Sequence, residues 1–392
     1  MSIHIPTAPN TVTHIGTGGM PTRLPVPRPG HAMAVVAVVL GIVLAGIAGL
    51  VVAVYIVGGL GLGAAAGGGI MALVPLSIVL AGVHWVDRWE PEPRLALVFA
   101  FLWGSAGAVL IALLVGAQVD NVVASLGGSD STSEFFLAVI QAPIVEESSK
   151  GFGLLLIFWI GRRFFDGPVD GVVYAAMLAG GFAFSENILY FGSQLVQEGG
   201  LDGSVLQIFL IRGLMSPFAH VMFTSCTGIA LGIAASRTGA FGAIGFFLLG
   251  LIPAIALHAL WNGSLYLVSN FFGYYLLVQV PLFLAAVALV MALRRAETRV
   301  TAARLHEYAV AGWFAADEVV PLATPNGRRA ASQWAAQNGR APQMRRYIQD
   351  ATRLAFARQR LVTGRADTTR SVADEAILLD AVLDSRRRLV AG

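Results

Sequence analysis

The sequence predicts an all-α fold: a polytopic membrane helix bundle of about eight transmembrane helices, followed by a helical cytoplasmic tail. Three observations lead there. The 392 residues are 56% hydrophobic and only 12% charged, where an ordinary soluble domain is roughly 25% charged. Apolar runs of about 20 residues, long enough to cross a hydrocarbon core of ~30 Å, recur over the first 293 positions. Arginine returns between alternate runs only.

Taken in order, residues 1–31 are rich in Pro, Thr and Gly and lack an apolar h-region. They predict a disordered cytoplasmic N-terminus without a cleaved signal peptide. The apolar runs cover 32–56, 61–86, 95–118, 134–160, 171–192, 206–235, 239–267 and 270–293. Gly61-Leu62-Gly63-Ala64-Ala65-Ala66 is formally a dinucleotide-type match, but no strand precedes it, so it reads as a tight turn with small-residue helix packing. Arg23 and Arg28 precede the first run, Arg88 and Arg94 follow the second, Arg162 and Arg163 the fourth, Arg237 the sixth, and Arg294 and Arg295 the eighth. The intervening loops carry Asp120, Asp130, Glu198 and Asp202 and no basic residue. That alternation predicts a multi-pass membrane protein with both termini cytoplasmic, and the preference for Arg over Lys with abundant Ala and Gly points to a GC-rich bacterial genome and so to a bacterial cell membrane. The transmembrane domain is thus placed at 32–293. Residues 296–392 are Ala- and Arg-rich and polar, with amphipathic helices expected over Arg345–Val362 and Val372–Val390 near anionic lipid.

Composition also excludes classes of function. A net charge of +3, without an arginine stripe on a soluble face, gives no nucleic-acid footprint. A single cysteine, Cys226, excludes an intrachain disulfide framework and a cysteine-based metal site. Nothing in the sequence fixes an oligomeric state.

Against this apolar background stands Glu146-Glu147-Ser148-Ser149-Lys150, which holds the only lysine of the chain. Charges at membrane depth cost a few kcal/mol each on insertion scales and mark functional sites by default. Glu146 and Lys150 are an i,i+4 pair with the acid first, the favourable order. Pro143, one turn earlier, predicts a bend that frees backbone carbonyls. The next run carries Phe182, Glu186 and Asn187. The one after it carries Ser216, Pro217, His220 and Thr224, and the seventh carries Pro253, His258 and Asn262. Glu146 lies ~18 Å below Glu134, and Glu186 ~22 Å beyond Gly171, at 1.5 Å per residue. Glu146, Glu147, Glu186, His220, His258 and Asn262 therefore share a depth on four consecutive helices. Carboxylates that can activate water, with imidazole and amide groups to hold an oxyanion, make a hydrolytic inventory. A structural ion pair is the competing reading of the cluster, although such a pair needs one acid and here there are two.

The pattern Glu146-Glu147-x-x-Lys150, Phe182-x-x-x-Glu186-Asn187, His220 and His258-x-x-x-Asn262 resembles the PrsW family of bacterial intramembrane proteases. That family belongs to the wider clan of CAAX prenyl proteases and bacteriocin-processing proteins. Asp87-Arg88-Trp89-Glu90-Pro91-Glu92-Pro93 and Asp170-Gly171-Val172-Val173-Tyr174 resemble it too, and the likeness spans about residues 80–265. The resemblance implies cleavage of a membrane-anchored, anti-sigma-factor-like protein on its extracytoplasmic side. It implies Glu146 and Glu147 as water activators, and His258 and Asn262 at the oxyanion. Where the clan often has Phe-x-x-x-His this chain has Phe182-x-x-x-Glu186, so His220 takes the middle histidine's place, with Lys150, Phe182 and Asn187 in support. A glutamate mechanism needs no cofactor. Zinc is the alternative, with Glu147, Glu186, His220 and His258 as its expected ligands. An ion- or proton-coupled transporter and a non-catalytic scaffold are the rival functions.

Overall fold

The computed structural model describes residues 29–128, 131–162, 165–239, 241–363 and 368–391. Arg23, Arg28, Asp130, Arg163 and nearly all of the expected disordered N-terminus lie outside them. Fifteen α-helices and four π-helical turns make up the regular structure, with no strand among the described residues.

Helix α1 (Pro29–Val86) joins the first two apolar runs and breaks at Gly61, where φ is 77° and ψ 158°. Only glycine adopts that conformation readily. The two arms run in opposite senses. Gly41 lies against Phe99 and Gly49 against Ala106, whereas Gly68 lies against Ile188 and Gly192, and Val79 against Gly180. Helix α2 (Arg94–Leu102) passes through a π turn, Trp103–Ala108, into α3 (Val109–Ser125). Helix α4 (Ser131–Phe135) passes through another, Phe136–Gln141, into α5 (Ala142–Ile160). Helix α6 (Pro168–Gln197) is followed by α7 (Gly203–Phe209), a π turn at Leu210–Met215, and α8 (Ala219–Arg237). Then come α9 (Ala243–Leu267), α10 (Phe271–Tyr274) with its π turn Tyr275–Gln279, and α11 (Val280–Val310).

Helix α6 is the axis of the bundle: its most apolar stretch is 67% buried, against 6% for the α10–α11 run. Small residues permit the approach of its neighbours. A Cβ on Gly171 would stand 2.0 Å from the Gly228 carbonyl, and one on Gly104 would stand 1.9 Å from that of Leu178. This is how helices associate where lipid supplies no hydrophobic drive between them. Asp170 caps the start of α6, its Oδ2 accepting from the backbone N–H groups of Asp166 and Gly167 at 2.5 and 2.8 Å. The outer faces expose Leu44, Leu50, Leu62, Ile70, Leu249, Ile252 and Leu277, as a lipid-facing surface does.

Among the described residues, six helices are long and apolar enough to cross a membrane. The expectation of eight counts the two arms of α1 separately and adds 134–160. That last segment falls outside the apolar set because Glu146, Glu147 and Lys150 lie within one window of it.

Beyond residue 296, α11 continues unbroken into a packed helical unit with α12 (Ala316–Ala323), α13 (Pro325–Gln337), α14 (Ala341–Val362) and α15 (Thr368–Ala391). The last two match the expected amphipathic helices closely. Leu305, Tyr308, Phe314, Leu322, Tyr347, Leu354 and Val382 give the unit its own core. It docks on the loop between α1 and α2. Trp89 Nε1 donates to Thr301 Oγ1 at 3.1 Å, Arg328 donates to the Trp89 carbonyl at 3.0 Å, and Arg360 pairs with Asp166.

Candidate active site

The break ahead of α5 is a consequence of Pro143. In a π turn each carbonyl accepts from the N–H five residues on, and the Ala142 N–H does so on the Leu137 carbonyl. The Ala138 carbonyl would need an N–H from residue 143, which proline lacks. Asn262 of α9 supplies the donor instead, Nδ2 to Ala138 O at 2.8 Å. Asn262, expected at an oxyanion, thus ties α9 to the turn that leads into the helix of the acidic pair.

Glu146 and Glu147 leave α5 about 100° apart, as neighbours on a helix with 3.6 residues per turn do, and meet different surroundings. Glu147 is fully enclosed. Its Oε1 takes Lys150 Nζ and faces His258 Nδ1 at 3.0 Å, while its Oε2 accepts from Thr224 Oγ1 at 2.8 Å. Lys150 is equally enclosed, over the Phe182 ring at 4.4 Å and 3.3 Å from His220 Nδ1. Glu146 keeps a buried Oε2 with no hydrogen-bond partner. That oxygen lies 3.8 Å from His258 Nε2 and 3.9 Å from Lys150 Nζ. The two imidazoles stand perpendicular, with centroids 5.1 Å apart, and the Phe223 ring stacks on His258 at 5.0 Å.

On the other flank, His220 Nε2 lies 2.8 Å from Glu186 Oε2. The same oxygen accepts from Arg212 Nη2 at 2.7 Å, and Arg212 Nε donates to Asn187 Oδ1 at 3.1 Å. Ser216, four residues before His220, donates to the Ile211 carbonyl at 2.7 Å, because the chain breaks at Pro217 before α8 begins. Pro253 causes no such break, since α9 stays helical through it. A small cavity of about 20 Å³, room for about one water, lies beside His220, lined by Val79, Gly180, Asn187, Arg212, Pro217 and Trp261 among others.

The structure thus brings Glu146, Glu147, Lys150, Phe182, Glu186, Asn187, His220 and His258 together and turns Asn262 to their support. Sequence reasoning missed Arg212. The available signal was an arginine six residues inside an apolar run whose preceding loop has no basic residue.

Residues 92–296, just over half of the chain, match the family described as "PrsW family intramembrane metalloprotease". The chain belongs to the PrsW family. Protease PrsW of Clostridioides difficile (strain 630) is 31% identical over 163 residues, which cover 41% of this chain and 62% of that protein. Protease PrsW of Bacillus subtilis (strain 168) is 28% identical over 205 residues, covering 52% of this chain and 85% of that protein. The matched region therefore spans less than two thirds of the first relative's length. No solved structure matches.

The PrsW family description names a metalloprotease, and the side chains present fit one. Glu146, His220 and His258 each offer a ligand atom within 4.8 Å of the others. Two imidazoles and a carboxylate are a donor set of catalytic zinc sites, which keep one position open. Each imidazole rests its other nitrogen on a carboxylate, His258 on Glu147 and His220 on Glu186. That is the outer arrangement which orients metal-binding histidines. The set differs from the expected Glu147, Glu186, His220 and His258. Glu147 is engaged by Lys150, His258 and Thr224, and Glu186 by Arg212 and His220. The acid left with a free oxygen is Glu146.

Proposed function

We propose that this protein is an intramembrane endopeptidase in which Glu146 activates the attacking water. The observation that carries the reading is the partnerless, buried Glu146 Oε2 beside His258 Nε2 and His220. Water held there gives a proton to Glu146, and its oxygen bonds to the peptide carbonyl carbon. The proton then passes to the leaving nitrogen as the C–N bond breaks. Lys150 offsets the charge gathered on the carbonyl oxygen. Glu147 and Asn262 are positioning groups, the first for His258 and Lys150, the second for the α5 entry. Glu146, His220 and His258 would hold zinc, which would supply Lewis-acid polarisation of water or carbonyl and take over the activation otherwise given to Glu146. The substrate is a membrane-anchored protein of the anti-sigma-factor type, and both termini face the cytoplasm as the arginine pattern predicts.

The test uses full-length protein in nanodiscs with a tagged, single-span anti-sigma-like substrate. Glu146→Gln is expected to slow cleavage by 10²-fold or more, in the range removed with a general base, ~10²–10⁴. Chelation followed by added zinc reads the metal in the same assay. Equal cleavage by wild type and Glu146→Gln would end the assignment to Glu146, whereas no cleavage by wild type would leave the transporter and scaffold readings standing.

A further inference from the structure

Arg212 sits in the π turn between α7 and α8, and nothing in the proposed chemistry uses it. Its guanidinium engages two consecutive side chains of α6 at once, Glu186 through Nη2 at 2.7 Å and Asn187 through Nε at 3.1 Å. The Tyr190 ring lies 3.8 Å from its central carbon, one turn further along α6. A planar fork spans this double contact with two separate nitrogens, a geometry that a lysine's single nitrogen does not reproduce.

The consequence falls on His220. Its Nδ1 faces the Lys150 ammonium at 3.3 Å, and an ammonium only donates. Nδ1 accepts from it only in the tautomer that has its lone pair there and its hydrogen on Nε2. That hydrogen needs an acceptor, and the acceptor is Glu186 Oε2 at 2.8 Å, the very oxygen that Arg212 holds. We propose that Arg212 is a positioning residue of the peptidase. By fixing Glu186 and Asn187 it locks His220 in the Nε2–H tautomer, with the Nδ1 lone pair turned towards Lys150. The inference deepens the peptidase reading and rests on it for its kinetic arm. The tautomer arm stands by itself.

Full-length protein with ¹⁵N-labelled histidine in nanodiscs tests both arms. Wild type is expected to show His220 protonated at Nε2 and bare at Nδ1. Arg212→Gln is expected to mix or invert that tautomer, and to lower kcat by about 10- to 100-fold, the usual effect of losing an outer-shell partner, with KM within about twofold. Arg212→Lys, which keeps the charge and one contact, is expected to restore part of kcat and most of the Nε2–H signal. The double variant Arg212→Gln/Glu186→Gln is expected to be no slower than Glu186→Gln alone, because both act through one chain of contacts. An unchanged His220 tautomer in a folded Arg212→Gln protein overturns the proposal, as do additive losses in the double variant. Failure of wild type to cleave, with the tautomer shift still present, would sink the peptidase reading and leave Arg212's positioning role intact.

Discussion

Lys150 gives the sharpest test of how the acidic pair is held. Its side chain and that of Glu147 both have 0% exposure, and they form a direct ion pair within one turn of α5. Lys150→Met keeps the length and apolar stem and removes only the charge. Glu147 then keeps Thr224 at 2.8 Å and His258 at 3.0 Å, but no fixed cation. Removing one partner of a buried pair costs about 3–5 kcal/mol, because the other charge is left uncompensated. Replacing both partners is far milder, so Lys150→Met/Glu147→Gln should recover most of that loss, with a coupling energy of at least ~2 kcal/mol in a double-mutant cycle. Unfolding in mixed detergent micelles measures all four proteins. Lys150→Arg should fail to rescue, since the site is closed by the Phe182 ring at 4.4 Å and by His220. A Lys150→Met protein within ~1 kcal/mol of wild type would refute the idea that lysine is what lets two adjacent carboxylates coexist in this bundle.

Two further outcomes follow from packing and from titration. A Cβ on Gly228 would stand 2.1 Å from the Gly171 carbonyl, where ordinary contact begins at 3.4 Å, so Gly228→Ala must part α6 and α8 locally. It should destabilise by ~1–3 kcal/mol despite alanine's better helix propensity, whereas Gly46→Ala in α1, with nothing within 4 Å, should not. In the loop beneath the C-terminal unit, burial raises Asp87 to about 6 and pushes Glu90 and Glu92 well above the usual carboxylate range. The neighbours of Glu90 include Asp166, Asp170 and Glu297, with Arg360 and Arg328 as counter-charges. An acid whose folded pKa is raised holds its proton more tightly folded than unfolded, so stability falls as pH rises through that value. Protease release of the C-terminal unit should therefore speed up as pH rises from the free value of 3.8 and level off above about 6 for Asp87, with Glu90 and Glu92 extending the rise to higher pH. Release that is independent of pH would show that these carboxyls do not govern docking.

The helical class and the site were legible for different reasons. Apolar runs report the lipid directly, so the helices stand out, and Glu146, Lys150, Glu186, His220 and His258 stand out against them as charged or polar side chains at one depth. Gly61 was legible as a turn because small residues cluster around it. Arg212 was not, because the alternation of loop arginines drew attention to segment ends while this one pairs inside a span with an acid from another helix. The role of Asn262 was equally hidden, since it depends on a carbonyl freed by proline within a π turn, and sequence spacing shows the proline but not the turn. The C-terminal unit was half visible. Its amphipathic helices α14 and α15 were legible from their periodicity, but their partner α11 looks like a membrane segment for its first half, and α12 is only eight residues long.

The two adjacent glutamates show how one sequence signal divides into two functions. A rotation of about 100° between neighbours aims Glu147 at Thr224 of α8 and His258 of α9, which with Lys150 of α5 meet its two oxygens. Glu146 is aimed at the space between the imidazoles, where its Oε2 meets no donor. A saturated carboxylate binds water or metal only by giving up bonds it already has, whereas an unsatisfied buried one gains by doing so. In the proposed mechanism the difference gives the chemistry to Glu146 and the scaffolding to Glu147. It also explains why the lysine contacts Glu147 directly and stands 3.9 Å from Glu146: a tight ion pair to the reactive oxygen would occupy the position that the water needs.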